Sequence, residues 1–182
     1  MKAKRALLWA LGLTGATMAA ITVGVLHDLA NRNTVQLQAC MHADPQPFSG
    51  LCQQFFYRFH PTPQEVEELN TAAGAGFAFM ANSESEARQV LKHYLDAGVD
   101  INAVDQRTIS IDEKTKAKFT ALHGAVLASE LMEVKLLLEF GASREIRDAK
   151  GRTPLDLARE LQAKNPNPQR AEIIRLLESG KP

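Results

Sequence analysis

The sequence predicts an all-α fold, a solenoid of helix pairs with β-hairpin fingers, preceded by an N-terminal transmembrane helix. Three observations predict it. Residues Ala6 to Leu26 form an uncharged stretch of 21 residues. Three later helices share one apolar pattern, and each is closed by a glycine: Gly98, Gly141 and Gly180. Thr120-Ala121-Leu122-His123 recurs 33 residues further on as Thr153-Pro154-Leu155-Asp156.

As a helix rising about 1.5 Å per residue, the stretch over residues 6–26 spans a hydrocarbon core of about 30 Å. Lys2, Lys4 and Arg5 make residues 1–5 a basic tip, whereas only His27, Asp28 and Arg32 follow closely. The positive-inside rule then puts the N-terminus in the cytoplasm and the body outside, which in a bacterium means the inner membrane with the body in the periplasm. The alternative is a cleaved secretory signal and a soluble periplasmic body. Such signals carry an apolar core of about 7–15 residues and then a small-x-small site. Here the small triplets, as in Ala16-Thr17-Met18-Ala19-Ala20, fall inside the apolar run, so an uncleaved anchor is preferred. Leu37-Gln38-Ala39-Cys40 looks like a lipoprotein acylation site but lies well beyond the run, and it is set aside.

Charge narrows the function. The chain has 21 basic and 21 acidic residues, but Lys2, Lys4, Arg5 and Arg32 precede Asp44 with Asp28 as the one early acid, so the body is acidic by three. A nucleic-acid binder needs a basic face for phosphate, which disfavours that class.

Residues 27–50 are expected to be a stalk and a Cys-containing linker, with His27 to Gln38 continuing as helix. Cys40 and Cys52 are the only cysteines. In an oxidising compartment they favour a disulfide closing the loop MHADPQPFSGL, which contributes on the order of 3 kcal/mol in the chain-entropy model.

Residues 51–76 are expected to form N-terminal capping helices. Leu51, Phe55, Phe56 and Phe59 recur at helical spacing and put four large apolar groups on one face. Thr62-Pro63 followed by Glu65 supplies an N-cap, a proline at the first helical position and a capping-box carboxylate, so a helix should run from Pro63 to about Ala73. Ser83 with Glu86 starts the next helix, which ends at Gly98.

From residue 77 the chain is self-similar. Leu91, Tyr94 and Leu95 stand seven, four and three residues before Gly98. Val134, Leu137 and Leu138 take those places before Gly141, and Ile173, Leu176 and Leu177 before Gly180. Each triplet is one apolar stripe, and each glycine suits a left-handed C-cap.

The 33-residue step and the T-P-L-H-like segments resemble the ankyrin-repeat family. Residues 77–180 look like three such repeats, within a repeat domain over 77–182. The resemblance implies hairpin segments in GVDINAVD (Gly98 to Asp105) and GASREIRD (Gly141 to Asp148), and a repeat start in KGRTPLDLA (Lys150 to Ala158). It implies for His123 a role bracing turns by hydrogen bonds to backbone. The sequence also departs from the family. Gly98 to Gly141 spans 43 residues, the excess lying between Asp105 and Phe119, where β-prone Thr108–Ile111 and Ala117–Thr120 predict an elongated hairpin finger. Gly141 to Gly180 spans 39, with a helix-breaking Asn165-Pro166-Asn167-Pro168 loop. The first repeat has FAFMAN where T-P-L-H belongs, so it is either a degenerate cap or the stack begins at Ser83.

No catalytic fingerprint is present: H-E-x-x-H, G-x-S-x-G, P-loop and dinucleotide motifs are all missing from the sequence. A metal or enzyme site built by residues 40–60 is the competing reading. It would use Cys40, His42, Cys52 and His60, at spacings unlike structural zinc sites, and the disulfide consumes the same thiols. No cofactor and no small-molecule substrate are expected.

What remains is the surface that repeats create, an extended concave face lined by hairpins and first helices. Its expected partner-binding residues are Gln106, Arg107, Asp112, Glu113, Lys114 and Lys116 on the long finger, with Arg144, Arg147, Lys150 and Arg152 on the next. Mixed charge suits a protein partner, and arginine is favoured at interface hot spots. The competing role for Asp105, Asp148 and Arg152 is to hold the hairpins together, and for the two aspartates it stands level with partner contact.

The function expected is thus a non-enzymatic, membrane-tethered module that captures or neutralises a protein, in one version an immunity protein against a toxin acting in the periplasm. The alternative within the same class is a scaffold or stress-protection partner of a periplasmic enzyme. A eukaryotic type II membrane protein is disfavoured, because the exported region has no N-x-S/T sequon.

Overall fold

The computed structural model describes residues 22–43, 46–107 and 117–180. They divide into two compact units, one ending at His60 and the other beginning at Pro61. The described residues are mainly helical and contain no strand, so the expected hairpin segments over 98–105 and 141–148 are turns and loops.

In the first unit, residues 22–30 are helical and the helix stops there. The expected stalk over 27–38 is therefore not continuous. Asn33 explains the break, because its Oδ1 accepts the Gln36 amide at 2.9 Å while Gln36 Oε1 accepts the Asn33 amide at 2.9 Å. This reciprocal cap starts a new helix, α1, Thr34–Ala43. The linker is not extended either. Helix α2, Phe48–Phe59, begins ahead of Leu51 and packs on α1. Cys40 and Cys52 join the two through a disulfide with Cα atoms 5.9 Å apart.

That bond sets which face of α2 turns inward. Ser49, Cys52 and Phe56 are buried, at spacings of three and four, whereas Phe59 of the expected apolar face is 55% exposed. Among the described residues no helix is long and apolar enough to cross a membrane. Residues 6–21 of the expected spanning segment lie outside the described residues.

The second unit opens with α3, Pro63–Asn70. Thr62 Oγ1 accepts the Glu65 amide at 3.3 Å and Glu65 Oε2 accepts the Thr62 amide at 2.7 Å, the capping box anticipated for this proline-led start. The helix is three residues shorter than its pattern predicts, because the chain turns sharply at Ala73 (φ 51°) into Gly74. A Cβ on Gly74 would lie 2.5 Å from Leu69 Cβ and 2.7 Å from the Leu69 carbonyl oxygen. Only glycine permits this close approach.

A 3₁₀ helix, Gly74–Met80, follows. It packs against α4, Glu84–Asp96. Two further pairs come after it: α5, Ala121–Ala128, with α6, Leu131–Glu139; then α7, Pro154–Lys164, with α8, Pro168–Glu178. The first members touch in sequence order, the 3₁₀ helix on α5 and α5 on α7, and α6 touches α8. The FAFMAN segment thus occupies a first-helix position with a tighter helix.

The apolar stripes form the core: Leu91, Tyr94, Val134, Leu137, Leu138, Ile173 and Leu177 are all buried. Gly98, Gly141 and Gly180 have φ of 103°, 92° and 65°. At the first two sites the helix closes with a paired C-terminal motif. The Val99 amide reaches Tyr94 O at 2.9 Å and the Ala142 amide reaches Leu137 O at 2.8 Å, with Gly98 and Gly141 donating one turn inside.

Candidate functional site

The connections between helix pairs carry the charged residues singled out by the sequence. Backbone bonds fix their order. The Asp105 amide donates to Phe119 O at 2.8 Å, which joins the two described ends of the long connection, and the Gln106 amide donates to Thr71 O at 2.8 Å. The Ala149 amide reaches Ala117 O at 3.0 Å, tying the next connection to the C-terminal end of the long one. Asparagine side chains repeat this linkage: Asn70 Oδ1 accepts the Asp100 amide and Asn102 Oδ1 accepts the Ser143 amide, each at 2.8 Å.

Two buried aspartates shape the turns. Asp105 Oδ1 accepts the Arg107 amide at 2.8 Å, and its carboxylate also holds the Arg107 guanidinium at 2.7–3.3 Å. That guanidinium bond holds the Asp105 carboxyl below its ordinary range, against the upward push of burial. Asp148 accepts the Lys150 and Arg152 amides at 2.8 and 3.0 Å. Its burial pushes the carboxyl up, but the bonds from Arg152 outweigh that and it too is lowered.

Among the expected partner-binding residues, Gln106 and Arg107 are exposed, as are Arg147 and Lys150. Arg147 donates to Gly151 O at 2.6 Å. Arg144 is half-buried. Arg152 is different, with a side chain only 19% exposed that bridges Asp148 at 2.6 Å and Glu160 at 2.5 Å. It braces a turn, the structural role open to it from the sequence. Asp112, Glu113, Lys114 and Lys116 lie outside the described residues.

His123 is wholly buried. Its Nε2 lies 3.2 Å from Arg152 O, which can only accept, so Nε2 carries the proton and Nδ1 accepts from Thr120 Oγ1 at 2.9 Å. One imidazole thus caps α5 and pins the following connection. Burial lowers its pKa below 6.5.

Beside this brace lies a pocket of about 330 Å³ between the 3₁₀ helix, α5 and the described ends of the long connection at Asp105–Arg107 and Phe119. Gly76 and Phe77 form one wall, Ala121, Gly124 and Ala125 another, and Phe119 with the Asp105–Arg107 pair the rim. The Phe119 ring stacks on His123 with centroids 5.6 Å apart. Glu133, from the first turn of α6, completes the lining. Burial, with Glu130 nearby, raises its carboxyl to about 7. Glu133 is not distinguishable in the sequence: it reads as one more acid in a helix's first turn, and only the packing of α6 behind Ala125 turns it inward.

In the first unit, Cys40 and Cys52 are bonded to each other, which removes their thiolates from the alternative metal set with His42 and His60. Among the described residues no group of three or more His, Cys, Asp or Glu could hold a metal ion.

No family model matches the chain. Curated proteins match locally. A stretch of 58 residues, 32% of this chain and 9% of the relative, is 50% identical to palmitoyltransferase ZDHHC13 of Mus musculus. A stretch of 61 residues, 34% of this chain and 4% of the relative, is 39% identical to alpha-latrotoxin-Lh1a of Latrodectus hasselti. Over 155 residues, 82% of this chain and 20% of the relative, it is 31% identical to the mitochondrial disaggregase of Homo sapiens. The chain therefore spans a fifth or less of the length of each of these relatives.

Proposed function

We propose that this chain is an ankyrin-type protein-binding module, anchored in a bacterial inner membrane by residues 6–26 and exposed to the periplasm, where it captures or neutralises a protein partner without chemistry of its own. The observation that carries the reading is the stack of helix pairs joined by charged connections, in which Thr120 and Thr153 open equivalent helices 33 residues apart. Each pair covers only its neighbours, so the connections and first helices remain as a continuous surface.

Two further facts support it. The matches are to parts of a palmitoyltransferase, a toxin and a disaggregase, three unlike activities, which supports a shared module over a shared reaction. The anchor rests on the apolar stretch and its basic flank, and the Cys40–Cys52 disulfide accords with an oxidising compartment.

The test is chemical crosslinking of the full chain in its own cells, followed by mass spectrometry. One protein partner should be recovered in stoichiometric yield, and shortening the finger between Gln106 and Lys118 should reduce that yield at least tenfold while the chain still folds. Recovery of envelope-assembly factors alone would sink the reading. Alkaline carbonate should leave the full chain in the membrane fraction and release a chain beginning at Asn33; release of the full chain would refute the anchor.

A further inference from the structure

The pocket beside Phe119 holds an electrostatic imbalance. Three charged groups line it, and two cancel: Asp105 and Arg107 form a direct ion pair at 2.7 Å. Glu133 is left over. Among the described residues its carboxylate meets no cation and no hydrogen-bond donor, and the charge that acts on it is Glu130 at the N-cap of its helix, of the same sign.

A carboxylate in the first turn of a helix is ordinarily favoured in its charged form by the helix dipole. Glu133 stands in that position in α6 and yet titrates near 7, because burial there outweighs the dipole. Among the described residues Glu133 is thus a half-buried acid facing no counter-charge, and its ionised form carries a desolvation penalty. The remaining surface is apolar and aromatic, with Phe77 and Phe119 in the walls and Gly76 and Gly124 leaving room between them. A Cβ built on Gly124 meets nothing within 4 Å. At about 330 Å³ the space sits at the low end of ligand pockets, of about 300–1,000 Å³, and suits a single side chain.

We infer that this pocket receives an arginine side chain from an extended segment of the partner protein, with Glu133 as its counter-ion and the phenylalanines of the walls as its stacking surface. The inference rests on the protein-binding reading above. A guanidinium meets both demands of the pocket at once. Its planar fork gives a carboxylate two parallel hydrogen bonds, and its face stacks on aromatic rings at little desolvation cost. Lysine offers only a strongly hydrated point charge. An acidic side chain would face Glu133 directly.

The ¹⁵N-labelled full chain in detergent micelles at pH 7.5, titrated with acetyl-Gly-Arg-Gly-amide, tests this through the amide resonances of Gly76 and Gly124. Both should shift saturably, with the matched leucine peptide at least tenfold weaker and the glutamate peptide inert. Glu133→Gln should weaken the arginine peptide at least tenfold while the rest of the spectrum is unchanged. Gly124→Leu, whose Cβ meets nothing within 4 Å and whose side chain would take up the space, should abolish the Gly76 shift. Equal binding of the leucine peptide, no shift with any peptide, or full affinity in Glu133→Gln would each overturn the inference. Crosslinking in cells separates the two levels: undiminished capture of the same partner by Glu133→Gln refutes the pocket and leaves the protein-binding reading standing, whereas no partner with either chain refutes that reading itself.

Discussion

Arg170 of α8 donates to the hydroxyl of Ser129, 41 residues earlier, at 2.7 Å. The same buried guanidinium donates to the Leu161 and Asn165 carbonyls, at 3.3 and 2.8 Å, at the C-terminal end of α7. Ser129 itself sits at φ 65° between α5 and α6. One cation therefore closes a helix end, where the dipole favours positive charge, and joins two successive helix pairs.

Arg170→Ala should lower stability by about 1–3 kcal/mol, since it takes the donor from the buried Ser129 hydroxyl and removes the charged bond to the Asn165 carbonyl. Urea unfolding followed by circular dichroism would measure it. A loss under about 0.5 kcal/mol would show that water replaces the guanidinium without penalty.

Glu133 makes stability depend on pH. Its carboxyl lies near 4.5 in the unfolded chain and about 7 in the folded one, so the folded state binds the extra proton and its stability falls as pH rises through that window. Glu133→Gln removes the titration. The variant should match the parent at pH 4.5 and exceed it at pH 8 by about 1–2 kcal/mol, after allowance for solvent screening of a half-buried group. Thermal melts at the two pH values decide it.

His123 acts in the opposite direction. Its folded pKa is depressed, so the stability it lends is present above 6.5 and is lost as pH falls through the folded value. His123→Gln can keep the capping box with Thr120 but gives up the bond to Arg152 O. At pH 7.5 it should cost about 1 kcal/mol, and the deficit should shrink at pH 5, where the imidazole must accept a proton in the core. A deficit constant over pH would contradict the burial-depressed titration of His123.

The disulfide secures the first unit. Cys52→Ser should destabilise α1 and α2 by about 3 kcal/mol. Hydrogen exchange over Thr34–Phe59 should accelerate accordingly, with the amides of α5 to α8 unaffected. Peptide mapping without reductant should recover Cys40 joined to Cys52 in the parent.

Much of the second unit was legible because its determinants are local. Thr62, Ser83, Thr120 and Thr153 each cap a helix through the amide three residues on, and such a bond is written in four consecutive residues. The glycines at 98, 141 and 180 follow helix ends with the chain in a left-handed turn, which glycine adopts without a steric penalty. The pocket was not legible. It exists because the 3₁₀ helix, α5 and the described ends of the long connection meet, and no window of the sequence contains all of them.

The sequence by itself determined where most helices of the second unit begin and end, the 33-residue step between the equivalent starts at Thr120 and Thr153, and the candidate charges on the connections. Only the tertiary structure decided that Arg152 is a brace, that Arg170 is buried, that the segment after residue 30 folds back as a disulfide-joined helix pair, and that Glu133 faces a pocket. The physical reason is range. Caps and turns are settled within about five residues of chain. Burial and the titration it shifts depend on which distant side chains exclude water, and for Glu133 those come from three elements brought together by stacking.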